Sequence, residues 1–147
     1  MTDTPKWQRI LIHHSASEDG DGVDAEAIRR FHVEVRGWRE VGYHQLIERI
    51  GNTYQAVSGR PLYMEGAHCP GQNQIALGLC LVGDYSKVAP PMDQMRVAAE
   101  VCADWCGRFD IPTEEIHPHR KFKATLCPGR VDVEMLRYLV DQIFLHG

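Results

Sequence analysis

The apolar positions of the chain follow two periods, which predict an alternation of strands and helices. Short runs rich in branched apolar residues predict strands at residues 7–13, 43–50, 53–57, 75–82 and 116–118. Apolar residues spaced three and four apart predict helices that begin after Asp24, after Pro91 and near Val133. The predicted fold class is therefore α/β, with residues 1–147 forming a single domain in which a central mixed β-sheet is flanked by about three α-helices.

The first predicted helix has a clear beginning and end. Asp24 is a suitable N-cap, and Gly37 is a suitable stop. Between them, Ile28, Phe31 and Val35 share one helical face, so all three are expected to pack toward the sheet.

Composition and charge exclude several classes of protein. The chain has 147 residues, of which 44% are hydrophobic, so it can bury a core. A formal net charge of -4 gives no global attraction to nucleic acid or to an anionic membrane, so we expect neither as a partner. We expect the protein to be a monomer. The first residues have no apolar signal segment, so synthesis in the cytoplasm is expected.

The cysteine content favours reduced thiols over a disulfide framework, because the number of cysteines is odd. They are Cys69, Cys80, Cys102, Cys106 and Cys127. Cys102 and Cys106 lie on the apolar face of the second predicted helix and are expected to pack in the core. Cys69 and Cys80 are expected to be inert thiols, of which Cys69, in a long loop, is the more exposed and more easily oxidised.

Eight histidines supply many potential metal ligands, and several lie at strand ends, where α/β proteins build sites. His13 and His14 end the first strand, and strand alternation sends them to opposite faces. One of them, one of His117 and His119, and Cys127 would supply two imidazoles and a thiolate, which suit zinc with one open position. The alternative is that these residues are ordinary hydrogen-bonded histidines and a buried thiol.

Five segments carry a resemblance to a known family. They are IHHSAS at 12–17, GWREVGYH at 37–44, GAH at 66–68, GLCLVG at 78–83, and HR followed by TLCPG at 119–120 and 125–129. In this order and spacing they resemble the zinc N-acetylmuramoyl-L-alanine amidases, which include T7-lysozyme-type endolysins and peptidoglycan recognition proteins. The resemblance extends from residue 10 to about residue 140 and implies the fold of that family.

The resemblance also implies roles for individual residues. His13, His119 and Cys127 match the family's zinc ligands, and Tyr43 matches a catalytic tyrosine beside the ion. Thr125 matches the second catalytic position, where some relatives have lysine and others threonine. Lys121 and Lys123 lie nearby in the sequence but not at that position, and no role is assigned to them.

A substrate groove is expected along the loop between the third and fourth predicted strands. His68 and Asn73 match groove positions of the family, and other polar or aromatic groups are available. These groups are Arg60, Tyr63 and Gln72 on the loop, His44 beside the catalytic tyrosine, and Trp38, which either flanks the groove or packs the helix end. Candidates for protonating the leaving amine are His44, His68 and the zinc-activated water.

The function that follows is zinc-dependent hydrolysis of the amide bond between N-acetylmuramic acid and L-alanine in bacterial peptidoglycan. The expected setting is a phage or prophage endolysin that reaches the cell wall through a pore made by another protein. Three alternatives remain: a non-catalytic peptidoglycan-binding protein, a cytosolic amidase that recycles muropeptides, and a metal-independent hydrolase that pairs Cys127 or Cys69 with a histidine.

Overall fold

A mixed five-stranded sheet forms the centre of the protein. The computed structural model describes residues 6–15, 24–37 and 41–146. The strands are β1 (Arg9–His14), β2 (Gln45–Ile50), β3 (Thr53–Ser58), β4 (Ala76–Leu81) and β5 (Ile116–Pro118), in the spatial order β3-β2-β4-β1-β5. β1 pairs in parallel with β4 and β5, β2 pairs in parallel with β4, and only β2 and β3 are antiparallel. Each observed strand lies within two residues of its predicted bounds.

In the part of the chain that the structure describes, three α-helices pack around the sheet, and the first differs from its prediction. They are α1 (Ala25–Arg30), α2 (Met92–Phe109) and α3 (Val133–His146). The Asp24 side chain caps α1 by accepting a hydrogen bond from the backbone of Ala27, as the sequence predicts. From Phe31 to Val35 the helix continues as a π-helix, and its wider turn rotates Val35 away from the sheet to 69% exposure. The expectation that Val35 packs in the core was therefore wrong.

Strand alternation in β1 divides its side chains between two faces of the sheet. Ile10 and Ile12 join the large core under α2 and α3, together with Trp105 and Leu136. Leu11 belongs to a smaller cluster on the opposite face, and His13 follows it on that face, which is also covered by α1. The side chain of His13 is thus held at the carboxyl end of a central parallel strand, where α/β folds place their ligands.

Most cysteines are buried, and one of them, Cys69, is less exposed than the sequence suggests. All five are free thiols. Cys102 and Cys106 are buried in the core under α2, as predicted. Cys69 was expected to be more exposed than Cys80, but both are fully buried, and Cys69 packs against Leu11 and Ala76 because the long loop folds back over the end of the sheet.

Two predictions concern residues outside the described ones: the position of Trp38, and residues 16–22 of the loop that the polar, glycine-containing sequence from Ser15 to Gly22 predicts. Among the helices that the structure describes, none combines the length and apolar composition needed to cross a membrane.

Candidate metal centre

Three ligand atoms converge beside the carboxyl end of β1. His13 lies near the end of that strand, and pairing of Ile12 with Pro118 brings His119 alongside it, with ring centroids 4.3 Å apart. Cys127 comes from the loop before α3, and its Sγ lies 3.9 Å from Nδ1 of His13. One donor atom from each of the three residues lies within 4.8 Å of the others. This spacing suits a shared metal ion.

The environment of His119 supports that assignment. Both of its ring nitrogens are buried and have no hydrogen-bond partner among the described residues. Burying an imidazole without a partner costs free energy, and a coordinated cation would supply the missing partner. Burial, together with the positive charge of Lys123, lowers the pKa of His119 to about 4, so the ring is neutral and able to coordinate near neutral pH. Two imidazoles and a thiolate therefore fit zinc.

Hydrogen bonds to both the side chain and the backbone of Cys127 fix its position. The backbone N–H of His14 donates to its Sγ at 3.4 Å, and its own backbone N–H donates to Thr125 Oγ1 at 3.2 Å. Burial raises the pKa of the thiol to about 11, so without a metal it keeps its proton. The structure gives Thr125 this supporting contact and does not place it on the cavity wall.

Tyr43 lies beside the three ligand residues. Its ring centroid is 5.0 Å from that of His13, and its side chain lines the same cavity. Burial raises the pKa of its hydroxyl well above the usual value. The phenol therefore keeps its proton near neutral pH, and its hydroxyl makes a hydrogen bond with the buried thiol of Cys80.

His68 and Asn73 also line the cavity, and their roles differ. The side-chain oxygen of Asn73 accepts hydrogen bonds from the backbone N–H groups of His68 and Cys69, at 2.8 and 2.9 Å. The amide nitrogen of Asn73 is then the atom that this side chain can offer to a ligand. His68 uses both ring nitrogens within the protein, on His13 and on the carbonyl of Ala76.

His44 and Arg60, which were expected to contact substrate, are placed elsewhere. His44 is buried behind the cavity wall, where its Nε2 donates to Met64 and its Nδ1 accepts from Gly78. The Arg60 guanidinium donates to the carbonyls of Val41 and Glu65. Neither residue lines the cavity, because the hydrogen bonds of each one stabilise the loop that carries His68.

The other candidates of the groove loop and His117 lie outside the cavity, whereas His14 lines part of it but directs its ring away from the three ligand atoms. Tyr63 is 62% exposed, and Gln72 accepts a hydrogen bond from Arg9. His14 does face away from His13, and its Nδ1 accepts from the backbone of Tyr85. His117 lies between Glu115 and Arg137.

The cavity has a volume of about 420 Å³, and part of its wall was not predicted. His32, Arg36 and Lys123 all line it, and among the described residues it has no aspartate or glutamate. The Nδ1 of His32 accepts a hydrogen bond from the backbone N–H of Gly42, and its ring lies 5.8 Å from that of Tyr43. Helical periodicity could not place His32 or Arg36, because both lie in or beside the π-helical turn. For Lys123, the sequence feature that could have indicated a place on the cavity wall was its position four residues before the ligand Cys127.

Burial of His44 leads to a prediction about acid stability. Burial lowers the pKa of His44 from 6.5 to about 4. Between these values the unfolded chain binds a proton that the folded chain does not, so stability falls as the pH falls through this window. For this group the loss is about 3 kcal/mol in total. Urea unfolding across the window should show a weaker pH dependence for His44→Gln than for wild type.

The matched control is His146→Gln, since His146 is exposed at the end of α3. This variant should keep the wild-type pH dependence. An NMR titration in which folded wild-type His44 protonates near its ordinary pKa would contradict the prediction.

The sequence matches a known family over most of its length. Residues 3–130 match the family described as N-acetylmuramoyl-L-alanine amidase. Peptidoglycan recognition protein 1 of Bos indicus is 36% identical over 107 residues, which are 71% of this chain and 55% of that protein. N-acetylmuramoyl-L-alanine amidase of Mus musculus is 32% identical over 138 residues, which are 87% of this chain and 25% of that protein. The match thus spans about half of the first relative and a quarter of the second.

A solved structure shares the fold. The endolysin N-acetylmuramoyl-L-alanine amidase LysCS from Clostridium intestinale superposes with a TM-score of 0.80 at 24% identity, covering 92% of this chain and 84% of that one. The predicted architecture, a mixed sheet flanked by three helices, is confirmed by this similarity and by the observed topology.

Proposed function

Because this chain belongs to the N-acetylmuramoyl-L-alanine amidase family, we propose that it is a zinc-dependent hydrolase of bacterial peptidoglycan. Its substrate bond is the amide between the lactyl group of N-acetylmuramic acid and the L-alanine of the stem peptide. The proposal depends above all on the convergence of His13, His119 and Cys127, together with the ring nitrogens of His119, for which the described residues provide no hydrogen-bond partner. In a purely structural cluster, leaving those buried nitrogens without a hydrogen-bond partner would cost free energy with no compensating contact.

His13, His119 and Cys127 would hold the ion, and Tyr43 would act beside it. When bound, zinc supplies Lewis acidity, which polarises the amide carbonyl and makes water a better nucleophile. The neutral hydroxyl of Tyr43 can donate a hydrogen bond to the carbonyl oxygen as negative charge develops there. Thr125 contributes indirectly, because its hydroxyl holds the backbone of Cys127.

The leaving amine needs a proton, and two of the expected donors are unsuitable. His44 and His68 are both buried, and each has both ring nitrogens engaged within the protein. Burial also lowers the pKa of His68 to about 3, so its ring carries no spare proton near neutral pH. These two residues are better explained as supports of the site.

The thiol-hydrolase alternative finds little support in the same environment. A cysteine–histidine pair works through a thiolate and an imidazolium. Burial raises the pKa of Cys127 and lowers the pKa of His13, and both shifts oppose that charge pair. Cys69 has no exposed surface, and burial raises the pKa of its thiol, which also opposes formation of a thiolate there.

The direct test is hydrolysis of purified cell-wall sacculi. Cleavage of the proposed bond releases stem peptides whose L-alanine has a new free α-amino group. We expect the zinc-loaded protein to generate these amino groups, chelation to abolish them, and added zinc to restore them. A folded, zinc-loaded protein that binds sacculi without releasing amino groups would favour the binding-protein alternative instead.

Lys123 and Arg36 suggest how the cavity recognises its substrate, because stem peptides carry carboxylates and the described wall carries no acid. We expect Lys123→Ala to raise KM by roughly fivefold with little change in kcat, as the loss of one solvent-accessible charge contact implies. Steady-state kinetics on soluble muropeptides measure both constants.

The same loop provides a matched control for this prediction. Lys121 is exposed, does not line the cavity, and lies over the ring of Phe122. Lys121→Ala should keep the wild-type KM. An equal effect of the two substitutions would mean that only the overall charge of the loop matters.

We also propose the setting of an endolysin that is made in the cytoplasm, acts as a monomer, and reaches the wall through a pore formed by another protein. The similarity in fold to the Clostridium intestinale endolysin supports this setting. An endolysin should degrade intact sacculi efficiently, whereas a recycling amidase should prefer soluble muropeptides. Comparing the two substrates at equal enzyme concentration distinguishes these settings.

A further inference from the structure

A line of two imidazoles runs from the sheet into the candidate metal centre. His68 Nε2 lies 2.9 Å from the carbonyl oxygen of Ala76, and His68 Nδ1 lies 2.9 Å from His13 Nε2. The remaining nitrogen of His13, Nδ1, lies 3.9 Å from Cys127 Sγ. Both histidines are buried, with 1% exposure for His13 and 9% for His68.

The direction of each hydrogen bond follows from the chemistry of the two ends. A carbonyl oxygen only accepts, so His68 Nε2 carries a proton. No carboxylate of the described residues contacts either ring, and a buried imidazolium without such a partner is costly, so both rings are neutral. His68 Nδ1 is then bare and accepts, which means that His13 Nε2 carries a proton and His13 Nδ1 does not.

The fold holds the His68 ring firmly in this arrangement. A Cβ at Gly78 would lie 2.7 Å from the His68 ring, and a Cβ at Gly66 would collide with the same ring, so two glycines make room for it. The carbonyl of Ala76 is accessible because β2 pairs with β4 only from Leu79 onward. His44 in turn accepts from the backbone N–H of Gly78, which secures the wall behind His68.

We propose that His68 is a positioning residue that keeps His13 in a single tautomer, with the proton on Nε2 and the bare Nδ1 directed at the metal position. In the opposite tautomer, His13 would direct an N–H at that position and could not coordinate there. The consequence for zinc rests on the proposed function, but the tautomer itself is a property of the metal-free chain. Partners of this kind commonly orient metal-binding histidines.

The first test is the tautomer of His13 in metal-free protein, measured by long-range ¹H–¹⁵N NMR with ¹⁵N-labelled histidine. Wild type should show protonated Nε2 and bare Nδ1 on His13. His68→Leu removes the acceptor and should give His13 a mixture of tautomers. His68→Asn places a carbonyl oxygen near the former Nδ1 position and should restore the wild-type pattern.

The matched control is His117→Leu, another buried histidine, which lies outside the cavity between Glu115 and Arg137. This variant should leave the tautomer of His13 unchanged. A proton on Nδ1 of His13 in wild type, or an unchanged single tautomer in folded His68→Leu, would overturn the proposal. If His68→Leu does not fold, the wild-type and His68→Asn spectra still decide it.

Zinc affinity provides a second, independent readout. His68→Leu should weaken zinc binding about 10- to 100-fold in competition with a chromophoric chelator, and His68→Asn should recover most of the loss. Equal affinity in wild type and His68→Leu would overturn the positioning role. If wild type has the expected tautomer but binds no zinc, the proposed function fails while the tautomer assignment stands.

Discussion

Replacing Cys127 with serine is expected to lower kcat/KM by at least about 1,000-fold and to abolish stoichiometric zinc binding at neutral pH. The serine hydroxyl keeps its proton under conditions where a coordinated thiol loses its own, so the variant loses an anionic ligand while almost preserving size. The backbone N–H of Cys127 still donates to Thr125 Oγ1 in the variant, so the local fold has little reason to change. Metal analysis of the purified protein and amide-hydrolysis kinetics measure both effects.

Cys106→Ser is the matched control, because Cys106 is a buried thiol in α2, within the core cluster rather than the cavity. It should cost some stability but keep full zinc content and near-wild-type kcat. If Cys127→Ser keeps its metal and its rate, the ligand assignment is wrong.

Replacing Tyr43 with phenylalanine is expected to lower kcat on the order of 100-fold, with a much smaller change in KM. The ring would remain packed beside His13, so only the hydroxyl donor is lost. Because that donor acts on charge that develops during the reaction, its loss affects turnover more than binding. Zinc content should stay at the wild-type level, which separates this variant from Cys127→Ser.

Tyr63→Phe removes a phenolic hydroxyl from an exposed position outside the cavity and should have wild-type kinetics. The pH–rate profile of wild type should also show no loss of activity from ionisation of Tyr43, since burial raises the pKa of that hydroxyl well above its ordinary value. A Tyr43→Phe enzyme with full kcat would remove Tyr43 from the mechanism.

Much of the fold could be predicted from local patterns because local patterns control it. Alternation along β1 correctly separates His13 from His14, since successive strand residues face opposite sides of a sheet. The spacing of Cys102 and Cys106 correctly predicts burial under α2. The resemblance named His13, His119 and Cys127 as a group, and the structure brings their ligand atoms together.

Other features depend on contacts between distant segments, and local patterns missed them. Helical periodicity placed Val35 in the core, but a π-helical turn exposes it. His44 and Arg60 were assigned to the groove because of their position in the sequence, whereas their hydrogen bonds turn them toward the loop backbone. Lys123 was given no role, yet it lies on the cavity wall with His119.

The order of apolar and polar residues was enough to predict the strands, most of the helical segments and the opposite orientations of His13 and His14, because these follow from periodicities of two and about 3.6 residues. The pairing of β1 with β5, the folding of the 58–73 loop over the sheet end, and the contact of His68 with His13 were decided only by the tertiary structure. The reason is physical: a ring nitrogen becomes a donor or an acceptor only once its partner is fixed, and here the partners are 55 and 8 residues away along the chain.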